Sequence, residues 1–175
     1  MNGINLKEYY IHDMSILKVA KLGHPILLKK AIEIKDFSSD SLKNIIYNMS
    51  ETMIDYNGIG LAAPQVHLSK RIVIFRNPDQ EESEKINISP IINPIFSPLS
   101  EETEDDWEGC LSIPGMQGLV RRYKKIVYSG FDLDGNKINN QAEGLHARVV
   151  QHEIDHLDGI LYTDRLVDKK AFGFE

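Results

Sequence analysis

The stretch His152-Glu153-Ile154-Asp155-His156 sets two imidazoles four residues apart, with a carboxylate directly after the first. On an α-helix that spacing stacks both rings one turn apart on a single face, where they can share one metal ion. Glu153 then falls beside the open coordination position, where a general base for an activated water belongs. The competing explanation is a pair of surface histidines on an ordinary helix, and the flanking residues argue against it. Leu145, Val149, His152 and His156 follow one predicted face, and Ala147, Val150, Ile154 and Leu157 the next, so apolar residues cover most of the circumference. A helix patterned in this way is buried on several sides. Imidazoles inside it need partners, because an unpaired buried polar group costs on the order of several kcal/mol. Gly144 and Gly159 bracket the segment, and Gly159 suits the left-handed residue that commonly ends a helix.

A catalytic site of this type takes three protein ligands and keeps a fourth position open. One protease pattern supplies the third as a histidine six residues past the second, where this chain has Tyr162. Another uses a glutamate on a further helix roughly twenty residues downstream, where this chain has reached Glu175. Neither pattern fits. Cys110, the single cysteine, lies upstream, and a thiolate is a good ligand for zinc or ferrous iron. A lone cysteine is also commonly a small buried hydrophobe, so the local sequence leaves both roles open.

Two other stretches stand out. Gly58-Ile59-Gly60-Leu61-Ala62-Ala63-Pro64-Gln65 carries so little side-chain bulk that a ligand or another backbone can approach its main chain closely. It lacks the lysine and the glycine spacing of a phosphate loop. Gln65 offers a neutral amide that can donate to an oxygen, or is an ordinary surface glutamine. The acidic run at residues 101–106 reads as a solvated turn with no chemistry assigned to it.

The elements that must carry these groups are readable in outline. Ile16 to Val19 is a short apolar stretch, and Gly23-His24-Pro25 a turn in which His24 is a turn residue and not a ligand. Leu42, Ile45, Ile46, Met49, Met53 and Tyr56 recur at helical spacing after a Ser/Asp-rich start, predicting a packing helix near residues 41–56. Residues 71–76 read as a buried strand, and residues 86–92 as another, closed by Asn93-Pro94. Between them, residues 77–85 read as a solvated acidic loop. Residues 126–131 and 137–142, joined through Asp134-Gly135-Asn136, predict a hairpin leading into the metal helix. A few strands framing two helices predict an α+β domain.

With 175 residues and 42% hydrophobic content the chain fits one domain, expected at residues 14–175 after an N-terminal extension at residues 1–13. A net charge of −6 and no basic cluster beyond pairs such as Arg121-Arg122 argue against nucleic-acid readout or an anionic membrane as the main role. No apolar run approaches a membrane span. The first residues resemble no signal or transit peptide. One cysteine excludes an internal disulfide and fits a reducing cytoplasm.

Residues 58–65, 108–112 and 152–156, taken together, resemble in order and spacing the three signature motifs of peptide deformylase, and the resemblance runs from about Met14 to Leu166. It implies antiparallel β-sheets framing a central buried helix that carries the HExxH pattern. It implies removal of the N-formyl group from the N-terminal formyl-methionine of nascent chains, releasing formate, with transient contact at the ribosome in a bacterial cytoplasm. Carried over, Cys110, His152 and His156 hold one divalent ion, ferrous iron or in its place zinc, nickel or cobalt. Glu153 is the general acid/base, and Gln65 and the backbone N–H of Leu111 face the formyl oxygen. Gly60 bonds the substrate backbone, Ile59, Leu145 and Val149 help line a methionine pocket, and Glu108 and Arg122 form a pair that steadies the cysteine loop. One position departs: Gln117 stands where bacterial members usually carry arginine, which bears on contacts beyond methionine. The alternatives are an HExxH metalloprotease cutting internal peptide bonds and a non-catalytic, metal-stabilised binding domain.

Overall fold

A computed structural model describes residues 15–76 and 88–174. The expected extension at residues 1–13, the acidic loop at 77–85, the first residues of the strand predicted from residue 86, and Glu175 lie outside the described residues. Within them the chain is α+β, with two helices, α1 (Asp40–Asp55) and α2 (Gly144–Leu157). Eight strands follow in order: β1 (Gly60–Ala62), β2 (Ile72–Arg76), β3 (Ile88–Pro98), β4 (Thr103–Cys110), β5 (Ile113–Tyr123), β6 (Lys125–Phe131), β7 (Lys137–Glu143) and β8 (Phe172–Phe174). They form a five-stranded sheet, β1-β2-β3-β6-β7, and a three-stranded sheet, β4-β5-β8, with antiparallel pairing between the named strands.

The period-two geometry of the larger sheet explains why β2 is apolar on both faces. Val73 and Phe75 join Ile91, Ile126 and Tyr128 beneath Ala147, Val150, Ile154 and Leu157 of α2. Ile72 and Ile74 point the other way, joining Ile88 and Ile92 beneath Leu42, Ile46, Met49 and Met53 of α1. The sheet is thus covered on both sides, and α2 lies on the face nearer the smaller sheet. Helix α1 starts where Ser39 Oγ accepts the Ser41 N–H at 3.2 Å, with Asp40 in its first turn where the helix dipole favours a negative charge. The hairpin of β6 and β7 pairs Phe131 with Lys137 at its open turn, as its sequence pattern predicts. His24 also behaves as a turn residue, its Nδ1 accepting the Ile26 N–H at 3.2 Å.

Two expectations need correction. The strand predicted to close at Asn93-Pro94 continues to Pro98 through an irregularity between Ile92 and Ile95. Asn93 takes φ 51°, a left-handed conformation that asparagine tolerates, and its amide is tied to both backbone groups of Ile34 at 2.9 and 2.8 Å. The acidic run is no simple turn, because Glu104, Asp105 and Asp106 lie in β4, an edge strand on which these three residues are exposed. Charged residues are a common guard on such edges, and they conceal the strand from an apolar pattern search. Within the small-residue stretch Gly60–Ala62 forms β1, paired to β2 in full register.

Candidate metal centre

Cys110 ends β4, and a two-residue turn, Leu111-Ser112, leads into β5. The β4–β5 register shifts between Gly109 and Cys110, with Pro114, Gly115 and Met116 displaced from the ladder. Irregularities of this kind re-aim a side chain, here the Cys110 thiol. Two bonds brace the turn, Lys21 Nζ donating to the Leu111 carbonyl at 2.8 Å and Leu22 N–H to the Ser112 carbonyl at 2.9 Å, and Ala20 N–H ties the same segment to the Gln65 carbonyl at 2.7 Å.

Helix α2 meets that turn with every residue from His146 to Leu157 buried, the charged ones included. Its C-terminal end is closed by Arg71, which reaches the Leu157 carbonyl at 3.3 Å and Asp158 Oδ1 at 2.7 Å, a cation at the negative end of the helix dipole. The ligand atoms of Cys110, His152 and His156 all lie within 4.8 Å of one another, close enough for one ion to bridge them. Cys110 Sγ is 3.2 Å from His156 Nε2. His152 turns its Nδ1 to Glu108 Oε2 at 2.9 Å, so its Nε2 is the atom left for an ion. Hydrogen bonding of the far ring nitrogen to a carboxylate is the common way a metal-ligating histidine is oriented. Tyr162, which occupies the position of the missing third histidine, stacks on the His152 ring at 6.1 Å with 23° between planes.

The electrostatics of the three groups are strongly interdependent. Burial pushes the Cys110 thiol up, but the His156 charge and hydrogen bonds to both histidines outweigh it and hold the group well below an ordinary thiol. Burial pushes His152 down, and its bonds to Cys110 and Glu108 more than reverse that. Glu153 is pushed up to about 7, mainly by burial, against the lowering effect of the two histidine charges. Two buried atoms here lack a protein partner among the described residues, Glu153 Oε2 and His156 Nδ1.

Gln65 sits in the 3-10 turn Ala63–Val66 directly after β1. Its Oε1 accepts the Ala62 N–H at 2.8 Å, which turns the amide so that Nε2 faces Cys110 Sγ and Ser112 Oγ, each at 3.4 Å. A cavity of about 540 Å³ opens over these groups, and Ile59, Gly60, Gln65, Cys110, Leu111, Leu145, Val149, His152 and Glu153 all line it. Every site residue expected from sequence is therefore in one place, with His156 beneath the others. Ile59 is 49% and Leu145 53% exposed, so apolar surface is already open to a ligand at the rim, while Val149 lies deeper.

Sequence reasoning missed most of the polar shell. Glu108 accepts both ends of the Arg122 fork, at 2.9 and 3.0 Å, as the expected pair requires. It also accepts Arg148 Nη1 at 2.8 Å. Arg122 continues to Asp155, which in turn holds Arg165 through Oδ1 at 2.6 Å. In a sequence these residues look like ordinary helix and surface charges; only the clue that Arg148 stands one turn before His152 was available.

Comparison with known proteins decides what this centre belongs to. The family model for polypeptide deformylase matches residues 16–172. The chain belongs to the peptide deformylase family. Peptide deformylase 1 of Nitrosomonas europaea is 46% identical over 162 residues, spanning 91% of this chain and 92% of that protein. Peptide deformylase 1 of Bordetella pertussis is 46% identical over 159 residues, 89% of this chain and 90% of that protein. Among solved structures, the class I type b peptide deformylase of Acinetobacter baumannii superposes with a TM-score of 0.80 at 37% identity, covering 86% of this chain and 99% of that one. The activity that goes with the family is metal-dependent hydrolysis that removes the N-formyl group from nascent peptides.

Proposed function

We propose that Cys110, His152 and His156 hold one divalent ion, ferrous iron in the cell with zinc, nickel or cobalt able to replace it, and that Glu153 is the general acid/base of deformylation. The observation that carries this is the convergence of three ligand atoms from β4 and α2 within 4.8 Å, beside a buried carboxylate on the same helix. A thiolate with two imidazoles suits a borderline metal with an open position. An ion held by Cys110, His152 and His156 would supply Lewis acidity that lowers the pKa of water toward neutral.

The chain's own groups do the rest. Glu153, one residue past a ligand and without a partner for Oε2, accepts the water's proton and later returns it to the departing amine. The Gln65 Nε2–H, aimed by Ala62, and the Leu111 N–H donate to the formyl oxygen as negative charge grows on it. Gly60, on the free edge of β1, bonds the substrate backbone, and Ile59, Leu145 and Val149 receive the methionine side chain. The Acinetobacter baumannii peptide deformylase, 36% identical with a TM-score of 0.79, has a structure with Met-Ala-Ser bound, which supports a peptide beginning with methionine as the ligand class here. Within this reading α2 is the central helix that presents the HExxH residues to the cavity, and residues 14–175 act as one catalytic domain.

The substrate reaches the site as a nascent chain, with transient contact at the ribosome. The bacterial relatives support a bacterial cytoplasm as the setting. Among the described residues no helix is long and apolar enough to cross a membrane.

Formate release from formyl-Met-Ala-Ser, with and without chelator, tests the reading. Release that stops with chelator and is lost in Cys110→Ala upholds it. A protein that cuts internal peptide bonds after Cys110→Ala would be a protease of another kind, and one whose functions survive Glu153→Ala would be a metal-stabilised binding domain.

A further inference from the structure

Glu108 is a saturated carboxylate. Oε1 accepts Arg122 Nε at 2.9 Å and Arg148 Nη1 at 2.8 Å; Oε2 accepts Arg122 Nη2 at 3.0 Å and pairs with His152 Nδ1 at 2.9 Å. The two guanidiniums are not equivalent. Arg122 divides its charge between Glu108 and Asp155, whereas among the described residues Arg148 is hydrogen-bonded to one carboxylate, Glu108, and Asp105 feels its charge only through space. The other hydrogen bonds of Arg148 go to neutral carbonyls, Val120 at 3.0 Å, Glu104 at 2.9 Å and Asp106 at 3.5 Å. Arg148 and His152 also stand one turn apart on α2, so Glu108 reaches both from the opposite side without strain. In the connected network three guanidiniums, Arg122, Arg148 and Arg165, face two carboxylates, Glu108 and Asp155. The surplus positive charge lies next to the Cys110-His152-His156 cluster, and without Arg148 that surplus disappears.

We propose that Arg148 is a positioning residue of the metal centre: by committing its charge to Glu108 it fixes that carboxylate as the acceptor for the His152 Nδ1–H, and so keeps His152 Nε2 presented to the ion. Arg148 touches neither the ion nor the reacting atoms; it acts through Glu108. Its ties to the carbonyls of Glu104 and Val120 would also make it a brace between β4 and β5, and the two roles differ in what a lysine can replace. A lysine keeps the charge beside Glu108 but lacks the planar fork that spans both strands.

The proposal rests on the metal assignment above, and its test reads metal retention and not turnover. Full-length protein, wild type, Arg148→Met and Arg148→Lys, is loaded with Co2+ and mixed with excess chelator. Loss of the thiolate-to-cobalt absorption is followed, and melting of each metal-free form is recorded beside it. The methionine variant is expected to release Co2+ about tenfold faster or more, the range typical for lost outer-shell partners of a metal-bound histidine, and the lysine variant within about threefold of wild type. A methionine variant that melts lower yet releases the ion at the wild-type rate overturns the proposal and leaves only the strand brace. A lysine variant as fast as the methionine one overturns it as well. If the methionine variant does not fold, the lysine variant decides alone, release within about threefold upholding the role of charge and about tenfold or more refuting it. A wild-type protein that takes up no Co2+ would sink the metal assignment itself, an outcome distinct from all of these.

Discussion

The Cα of Gly60 lies directly against the side chain of Glu153: a Cβ added at Gly60 would come within 2.9 Å of both Cγ and Cδ of that glutamate, and nearer still to its Oε1. Real Cβ atoms do not approach carbon so closely, so a side chain at 60 would displace the Glu153 side chain from its present position. Glycine at this position therefore leaves Glu153, the proposed acid/base group, the room it occupies, apart from any contact with substrate. Gly60→Ala is expected to lower kcat for deformylation by about a hundredfold or more, the usual loss on misplacing a general base, with the metal retained. Metal content and kcat measured together check this; a variant with unchanged kcat would show that Glu153 has room the structure does not give it.

Gln65 is held by its oxygen, so only its N–H face is available to the cavity. Gln65→Leu removes that donor and leaves the volume nearly filled. Donors of this kind act mainly on the developing oxyanion, so kcat should fall on the order of a hundredfold or more while KM changes little. Steady-state kinetics on formyl-Met-Ala-Ser separate the two constants. A rise in KM with kcat intact would instead make Gln65 a substrate-binding group.

The buried network makes stability depend on acid. Burial alone would push the Glu108 carboxyl up, but the hydrogen bonds from His152 and Arg122 hold it far below its ordinary 4.5. For a carboxyl lowered in the folded state the unfolded chain binds the extra proton first. The contribution is fully present above about pH 4.5 and is lost progressively as pH falls below it. Melting of the metal-free protein between pH 6 and 3 should show the decline setting in near that point. Asp105, also held low by the exposed Arg121, contributes little because water screens the pair, so Asp105→Asn should leave the profile nearly unchanged.

Gly159 closes α2 at φ 75°, and a Cβ there would meet the Leu28 backbone carbon at 2.8 Å. Main chain cannot yield as a flexible side chain does. Gly159→Ala should cost about 1–3 kcal/mol from the left-handed conformation, with the backbone clash adding to it. Chemical denaturation of the metal-free protein reads this directly, and a loss under about 0.5 kcal/mol, typical of a neutral surface change, would contradict it.

The amino-acid sequence alone determined what is local. The helix bearing His152, Glu153 and His156 is legible because an α-helix brings residues four apart together whatever surrounds it. Helix α1, the β6–β7 hairpin and the left-handed Gly159 are legible for the same reason, each set by its own residues and immediate neighbours. Cys110 could be nominated by eliminating other ligands and supported by resemblance, but no local rule joins it to a helix more than thirty residues on. Only the tertiary structure decided that the irregular end of β4 delivers its sulfur to His156, or that β1 lays Gly60 against Glu153. Likewise, Arg148, Asp155 and Arg165 look in the sequence like any solvated charges. Whether a charge faces water or a buried partner depends on which strands pack against it, and that is set by the whole fold.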